Sequence, residues 1–349
     1  MTQLLSDNGT APALTSFAND RRRRSCYEAA MIQTPFRRPL LPLLALPLLL
    51  APMPLPAQSG AAPYVVAETG QGFGQLQAAV DAIGDGSGTI RVASGFHRDC
   101  AVQTAGRVAF VAAEPGRAIF DGGVCEGKAA LVLRGAGARV EGIVFQNMRV
   151  PDGNGAGIRL EQSDLSIVDS LFRNSEQGIL TADDPRATLS IDRSTFSRLG
   201  RCDRGLSCAH SVYTGVYGRV VVTRTRFEKG SGGHYLKSRA VAVDVRDNSF
   251  DDTQGSATNY MIDLPLGATG RIANNLFVQG RDKENHSALI AVAAEGRDHS
   301  SRGLAIENNR ASLPQDIGRT STFVADWSGD PLAIGANELG AGIKRFERR

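Results

Sequence analysis

Phenylalanine recurs at near-regular intervals through the middle of this chain, and that rhythm constrains the fold more than any other feature. Successive residues of the series are 27, 24, 31, 23 and 27 positions apart: Phe145, Phe172, Phe196, Phe227, Phe250 and Phe277. Repeats of this length are typical of solenoids. A small polar residue lies two positions before each of the last five, and Asn309 continues that series where Ala311 replaces phenylalanine: Ser170, Ser194, Thr225, Asn248 and Asn275.

Two ladders are therefore predicted, one aromatic and one polar. Phenylalanines of successive coils should stack inside, because coils stacked about 4.8 Å apart bury an apolar edge that one coil cannot bury alone. Each ladder asparagine is expected to adopt the left-handed conformation at a turn and to donate its amide to the next coil.

Each repeat also contains short β-prone runs, as in residues 165–168, 187–191, 220–223 and 241–245. Helical repeats would need a 3.6-residue periodicity, which is missing here. The pattern thus predicts an all-β parallel solenoid with coils over residues 88–312. The ends differ: Phe73, Leu76, Val80 and Ile83 predict a capping helix over 73–84, and the apolar residues of 313–349 predict a C-terminal cap.

The segments Leu-Gln-Ala-Ala-Val (76–80), Gly-Thr-Ile-Arg-Val (88–92) and Gly-Phe (95–96), followed by glycine-punctuated coils, resemble the pectate-lyase-like superfamily. The resemblance covers about residues 73–312. It implies a right-handed parallel β-helix with an N-terminal capping helix. It also implies a carbohydrate-related function, since that superfamily includes lyases, hydrolases, epimerases, esterases and non-catalytic surface proteins.

The segment before Gln58 is predicted to be a leader. Residues 40–50 are apolar, follow Arg37 and Arg38, and precede Ala57, as in a secretory signal peptide over about 31–57. Two prolines interrupt this apolar run, and it falls well short of the roughly 20 residues that a membrane-spanning helix needs. Residues 1–30 precede it without an apolar pattern, so Met31 is the alternative start. Residues 58–349 are expected to form one secreted or periplasmic domain.

Charge argues against nucleic acid as a partner. The chain has a formal net charge of +3, and residues 1–57 carry six arginines against Asp7, Asp20 and Glu28. The remainder is therefore close to neutral, without the basic excess typical of nucleic-acid binding.

Four cysteines follow the leader: Cys100, Cys125, Cys202 and Cys208. Cys100 and Cys125 are about one coil apart, so stacking brings them near disulfide distance, and Cys202 with Cys208 could close a short loop. Buried free thiols are the alternative.

A second strand follows each phenylalanine, and alignment of these strands predicts the candidate site. The buried column of the alignment is Ile158, Ile179, Val212, Leu236 and Ile262. The outward column is Arg159, Leu180, Tyr213, Lys237 and Asp263, with Glu161 and Arg239 two places further along. A column near the strand entrances contains His210, His234 and Tyr260, and Tyr235 lies beside His234.

These residue types match the needs of a uronate lyase. Arg239 could clamp a carboxylate, and Lys237 could act as a base or stabilise an enolate. Tyr213 or His234 could protonate the leaving oxygen, with Asp263 orienting Lys237 and His210 completing the catalytic set. Arg159, Glu161, Tyr235 and Tyr260 are predicted to bind substrate. The alternative is structural, with Lys237 and Asp263 forming an ordinary cross-strand ion pair.

Two motif comparisons narrow the chemistry. The aspartates that bind calcium in pectate lyases and their Arg-x-Pro-x-x-Arg run are missing, so no metal or cofactor is expected. Asp183-Asp184, Gly233-His234 and Lys237-Ser238-Arg239 loosely resemble polygalacturonase motifs, but Asp183-Asp184-Pro185 also fits a simple turn.

The sequence thus predicts a monomeric, exported polysaccharide lyase acting on an acidic polymer. A non-catalytic glycan-binding or envelope protein and a glycoside hydrolase are the alternatives. Residues 199–209, which lengthen the interval between Phe196 and Phe227, are a candidate lid.

Overall fold

Three parallel β-sheets wind into a solenoid of about nine turns. The computed structural model describes residues 62–349, so the predicted leader lies outside the described residues. In that part of the chain, one helix, α1 (Leu76–Ile83), accompanies the strands, which are numbered in chain order. Each coil contributes one strand to each sheet, and this confirms the predicted all-β parallel solenoid.

The strands of sheet A lie in the order β2-β1-β3 and then every third strand to β30. They are β1 (Tyr64–Val66), β2 (Gln71–Phe73), β3 (Ser87–Val92), β6 (Arg107–Ala112), β9 (Gly137–Glu141), β12 (Leu165–Val168), β15 (Asp184–Asp192), β18 (Tyr217–Thr223), β21 (Ala242–Arg246), β24 (Thr269–Ala273), β27 (Ala305–Glu307) and β30 (Ala333–Ile334).

The strands of sheet B contain the phenylalanine series. They are β4 (Gly95–His97), β7 (Ala118–Asp121), β10 (Ile143–Gln146), β13 (Leu171–Arg173), β16 (Thr195–Ser197), β19 (Arg226–Glu228), β22 (Ser249–Asp251), β25 (Leu276–Val278), β28 (Arg310–Ser312) and β31 (Glu338–Leu339).

The strands of sheet C follow sheet B in every coil. They are β5 (Ala101–Gln103), β8 (Ala129–Leu133), β11 (Ala156–Leu160), β14 (Gln177–Thr181), β17 (Val212–Thr214), β20 (Leu236–Ser238), β23 (Ile262–Leu264), β26 (Ala288–Val292), β29 (Ser321–Asp326) and β32 (Ile343–Arg348).

The aromatic ladder forms the interior, as predicted. Phe172, Phe196 and Phe227 are in register on neighbouring strands, and their ring centroids are 4.8 and 5.0 Å apart. Phe120 adds a further ring, 5.6 Å from Phe145. The phenylalanines lie within strands of sheet B, whereas the sequence placed them at a turn, because these strands are too short to show alternation. The solenoid has three sheets for that reason.

The polar ladder also forms, with one correction to its backbone. The amide Nδ2 of Asn248 donates to Asn275 Oδ1 at 2.9 Å, and that of Asn275 donates to Asn309 Oδ1 at 3.0 Å. The residue before each ladder position, such as Asp247 or Asn274, has the positive φ, and the ladder asparagine does not. The left-handed turn thus aims the next side chain inward, where its amide bonds the following coil.

Asn275→Ala is expected to lower the free energy of unfolding by about 2 kcal/mol, since alanine leaves buried backbone groups without partners. Asn275 Oδ1 accepts from the backbone N–H of Asn248 at 3.0 Å, and its amide donates to the Val245 carbonyl at 2.9 Å. Urea denaturation measures the change. Asn274→Gly is the control, because Asn274 is exposed with φ near 58° and glycine accepts that conformation. Equal losses for both variants would contradict the ladder account.

Helix α1 packs against the first coil. It buries Leu76, Ala79 and Val80, and the Gln77 side chain exchanges hydrogen bonds with the backbone of Val102 in β5, at 2.7 and 3.0 Å. Gln77 thus bonds a backbone edge that has no preceding strand in sheet C. Phe73, predicted to begin the helix, lies in β2, which pairs antiparallel with β1.

The coils continue past residue 312, so the predicted C-terminal end of the repeat is wrong. β29 pairs with β26, and β32 pairs with β29, with Val324 and Phe346 extending the buried column of sheet C. Ala311 and Leu339 take the phenylalanine position here, which hid the repeat from the aromatic pattern.

Both predicted disulfides form. Cys100 and Cys125 are joined across adjacent coils with Cα atoms 5.5 Å apart, and Cys202 and Cys208 close a loop within one coil. Within residues 62–349, no helix has the length and apolar character needed to cross a bilayer.

Candidate functional site

The candidate site lies on the outer face of sheet C, where three strands place polar side chains side by side. Val212, Leu236 and Ile262 are in register and buried, so the predicted inner column is confirmed. Tyr213 pairs with Lys237, and Lys237 pairs with Asp263, so the outer column is confirmed as well. Side chains about one coil apart in sequence thus become neighbours on successive strands.

Lys237 and Asp263 point outward yet are covered by other parts of the chain. Lys237 is 8% exposed and Asp263 is 3% exposed. Lys237 Nζ lies 3.3 Å from Asp263 Oδ2, and His234 Nε2 lies 3.5 Å from the same oxygen. The pair is therefore partly desolvated, unlike the exposed cross-strand ion pairs of low energetic value.

A stack of rings borders the site at the strand entrances. The centroids of His210 and His234 are 4.9 Å apart, and those of His234 and Tyr260 are 5.5 Å apart. Tyr213 meets His210 edge to face at 5.1 Å. The backbone N–H of His234 donates to His210 Nδ1 at 3.0 Å, which assigns the proton of the neutral His210 ring to Nε2.

A carboxylate that the sequence analysis missed joins the two cations of the site. Glu295 Oε1 lies 2.5 Å from Lys237 Nζ, and Glu295 Oε2 lies 2.5 Å from Arg239 Nη2. The Arg239 guanidinium also lies over the Tyr213 ring, 5.1 Å from its centroid. Burial opposes ionisation of Glu295, but its bonds to Lys237 and Arg239 outweigh burial and lower its pKa.

Glu295 belongs to the 293–304 loop, which connects β26 to β27. The backbone N–H groups of Glu295 and Gly296 donate to the Pro265 carbonyl at 2.9 and 3.0 Å. His299 N–H donates to Leu266 O, and its Nε2 lies 3.1 Å from the Arg239 carbonyl oxygen. The loop is thus fastened to the two preceding coils. No periodic pattern marks it, so sequence reasoning had no signal that would have placed it here.

Asp263 is the residue of the outer column with the most perturbed acidity. Burial raises its pKa to about 6, although the charges of Lys237 and Arg239 oppose this shift. Its Oδ1 and the Nδ1 of His234 are both buried without a hydrogen-bond partner among the described residues. Such orphaned atoms are rare in proteins and are frequent where a ligand or proton transfer completes the site.

The two histidines are held neutral. Burial, followed by the charges of Lys237 and Arg239, lowers the pKa of His210 to about 3. Burial and the neighbouring His210 lower the pKa of His234 well below its usual value. Both rings therefore act as uncharged partners near neutral pH.

We expect His210 to make the protein sensitive to acid. The unfolded state takes up a proton below about pH 6.5, whereas native His210 does not until about pH 3, so stability falls as the pH drops between these values. Between pH 7 and 5 the loss from His210 is about 2 kcal/mol. His210→Asn keeps an acceptor near Nδ1 and should reduce the pH dependence by that amount.

Urea denaturation at both pH values tests this expectation. The exposed His286 provides the control, and His286→Asn should leave the pH dependence unchanged. Asp263 contributes the opposite slope in both proteins, since its raised pKa favours the folded state as the pH falls through about 6, and it cancels in the comparison. Identical pH dependences for wild type and His210→Asn would contradict the assignment.

Arg159 and Glu161 lie in a separate cluster on the same face. Glu161 accepts from Lys128 Nζ at 2.8 Å and from Arg134 Nε at 2.7 Å, and Arg159 Nε lies 3.9 Å from Glu161. Leu180 separates them from Tyr213 in the outer column. Their carboxylate and guanidinium are engaged with each other and with neighbours remote from Lys237.

Tyr235, predicted to bind substrate, lies inside the solenoid. It is 1% exposed, donates from its hydroxyl to Asp252 Oδ1 at 2.6 Å and packs against Phe227. Lys283 pairs with the same Asp252 at 3.0 Å, so the hydroxyl belongs to a buried structural network. Tyr235 has no part in the site described here.

The candidate lid, residues 199–209, is fastened to its neighbours by several bonds. Arg204 pairs with Glu176 of the preceding coil, and Ser231 of the following coil donates to the carbonyls of Leu199 and Gly200 at 2.8 Å. Asp183 and Asp184 accept from the backbone N–H groups of Val216 and Ser163, which fits the turn interpretation.

Among residues 62–349, no group of three or more histidine, cysteine, aspartate or glutamate side chains is arranged to hold a metal ion. Comparison with protein-family models, with curated proteins and with solved structures finds no match to this chain. The parallel β-solenoid and the geometry of this cluster are therefore the basis for any functional assignment.

Proposed function

We propose that this protein is an exported polysaccharide lyase that cleaves a uronate-containing polymer on the outer face of sheet C. The observation that carries the proposal is the convergence of Lys237 and Arg239 on one carboxylate beside the Tyr213 ring. Two cations and a phenol above an aspartate of raised pKa supply the charges that elimination from a uronate needs.

In this elimination a base removes the proton on the carbon next to the sugar carboxylate. The electron pair forms a carbon–carbon double bond, the bond to the glycosidic oxygen breaks, and that oxygen takes up a proton. Arg239 and Lys237 would neutralise the carboxylate, so that charge can spread onto it in the transition state.

Asp263 is the base in this proposal, and Tyr213 protonates the leaving oxygen. A carboxylate with a pKa of about 6 is ionised at neutral pH and still accepts a proton more readily than an ordinary aspartate. Lys237, paired as an ammonium ion with two carboxylates, suits electrostatic stabilisation better than the role of base. His210 and His234 hold this arrangement in place through their ring stack.

Activity is expected to rise with pH through about 6 and then to level off, because Asp263 must be deprotonated to act as a base. Asp263→Asn should lower kcat/KM by about 100-fold or more and abolish this pH limb. The measurement is kcat/KM between about pH 4.5 and 8 for both proteins. A wild-type limb that persists in Asp263→Asn would assign it to another group.

A glycoside hydrolase is the second candidate, and one observation favours it. Asp263 and Glu295 have pKa values shifted in opposite directions and contact the same Lys237 ammonium, within 3.3 Å. Two carboxyl groups with separated pKa values are the usual pair of a hydrolase. In this case Glu295 would be essential for turnover.

A panel of uronate polymers and neutral glucans tests the proposal. A lyase generates ultraviolet absorbance from the conjugated double bond together with new reducing ends, whereas a hydrolase generates reducing ends alone. Retardation of a polymer in a gel without either product would indicate a binding protein. Absence of absorbance with every uronate polymer would refute the lyase.

A further inference from the structure

We propose that Glu295 occupies the subsite for a carboxylate group of the ligand, and that the 293–304 loop must withdraw it before a uronate can bind. This inference depends on the proposed function for the identity of the ligand as a uronate. The argument begins with the two cations. Lys237 and Arg239 each contact one oxygen of the same carboxylate, as they would contact the two oxygens of a sugar acid.

The surroundings of Glu295 differ from those of the residues it contacts. The Lys237 side chain is 10% exposed, but that of Glu295 is 42% exposed. The carboxylate thus approaches a buried ammonium from the solvent side, along the route that an external anion would take. Tyr213 lies beneath Arg239 at the same place and offers a ring surface to a bound sugar.

The attachment of the loop allows withdrawal without unfolding a coil. Its contacts with the preceding coils are the hydrogen bonds to Pro265, Leu266 and Arg239, which lie at the turn between sheets C and A. The strands β26 and β27 on either side pair in register with their neighbours and need not move. An exposed loop held by a few hydrogen bonds opens at low cost relative to the sheets.

Asp263 gives an independent reason to expect an external ligand here. Its Oδ1 has no hydrogen-bond partner among residues 62–349, although its side chain is almost completely buried. Glu295 satisfies Lys237 and Arg239 but leaves this oxygen without a donor. A sugar whose carboxylate replaces that of Glu295 would bring hydroxyl groups to the same place.

Competition between the internal and the external carboxylate predicts a gain of affinity when Glu295 is neutralised. If Glu295 fills the site nine-tenths of the time, its removal strengthens apparent binding about tenfold. Glu295→Gln should thus bind galacturonate or glucuronate at least about tenfold more tightly than wild type, as measured by isothermal titration calorimetry. Galactose should bind equally to both proteins, because it has no carboxylate.

Two further variants separate competition from general disturbance. Glu114→Gln changes an exposed carboxylate near Arg117, remote from this loop, and should bind the sugar acids like wild type. His299→Ala keeps Glu295 but removes the bond to the Arg239 carbonyl oxygen, and it should tighten binding by about twofold to threefold. Circular dichroism verifies that each variant is folded.

Unchanged or weaker binding of both sugar acids by folded Glu295→Gln would overturn the inference, as would loss of turnover in that variant. The outcome is separable from the fate of the lyase proposal. Tighter binding without any cleavage of polymers would support the subsite and refute the enzyme. Cleavage by wild type with weaker binding by Glu295→Gln would support the enzyme and refute the subsite.

Discussion

Phe196→Ala is expected to destabilise the protein by about 4 kcal/mol, which is among the largest losses that a single core substitution produces. Phe196 is fully buried and stacks between Phe172 at 4.8 Å and Phe227 at 5.0 Å, with nearly parallel rings. Alanine removes both contacts and leaves a cavity in the middle of the ladder. In a solenoid each coil is stabilised chiefly by its two neighbours, so the damage cannot be shared widely.

Urea denaturation of Phe196→Ala and Phe96→Ala measures this effect with an internal control. Phe96 lies in β4 and is 70% exposed, so its replacement should change the free energy of unfolding by less than about 0.5 kcal/mol. A loss below about 1.5 kcal/mol for Phe196→Ala would mean that the stacked ladder contributes little.

Lys237→Met is expected to lower kcat/KM for a uronate polymer by about 100- to 1,000-fold. Methionine retains most of the apolar length of lysine but removes the charge that faces the substrate carboxylate. It also removes the charge that opposes the raised pKa of Asp263, so any residual activity should need a higher pH than wild type.

The rate and its pH profile are measured together by ultraviolet absorbance, with Lys344→Met as the control. Lys344 is exposed in the last strand and pairs only loosely with Glu347, at 3.5 Å. Its replacement should leave both quantities unchanged. A Lys237→Met protein with wild-type rates would remove the electrostatic role proposed for this residue.

The stacking of coils could be predicted because one residue per coil repeats its chemistry at the same place. Phe172, Phe196 and Phe227 revealed the interior, and Val212, Leu236 and Ile262 set the phase of sheet C. Once that phase is known, strand alternation places Tyr213, Lys237 and Asp263 on the opposite face. The columns of the candidate site followed from these positions alone.

Glu295 could not be predicted in this way, since its contact with Lys237 joins positions far apart in the sequence and depends on an irregular loop. Alternation also fails for Tyr235, which precedes Leu236 but turns inward to reach Asp252. In both cases hydrogen bonds with residues of other coils determine the position, and these have no periodic signature. Burial of Lys237 and Asp263 depends on the same irregular segments.

The most direct test of the account is a crystal structure of the Asp263→Asn variant with an oligogalacturonide bound. This variant lacks the proposed base but keeps Lys237, Arg239 and Tyr213. The account predicts a sugar carboxylate between Lys237 Nζ and the Arg239 guanidinium, a sugar ring against Tyr213, and Glu295 displaced. An oligosaccharide bound instead along the face of sheet A near Thr89, Arg107 and Ser166, with Glu295 still on Lys237, would contradict it.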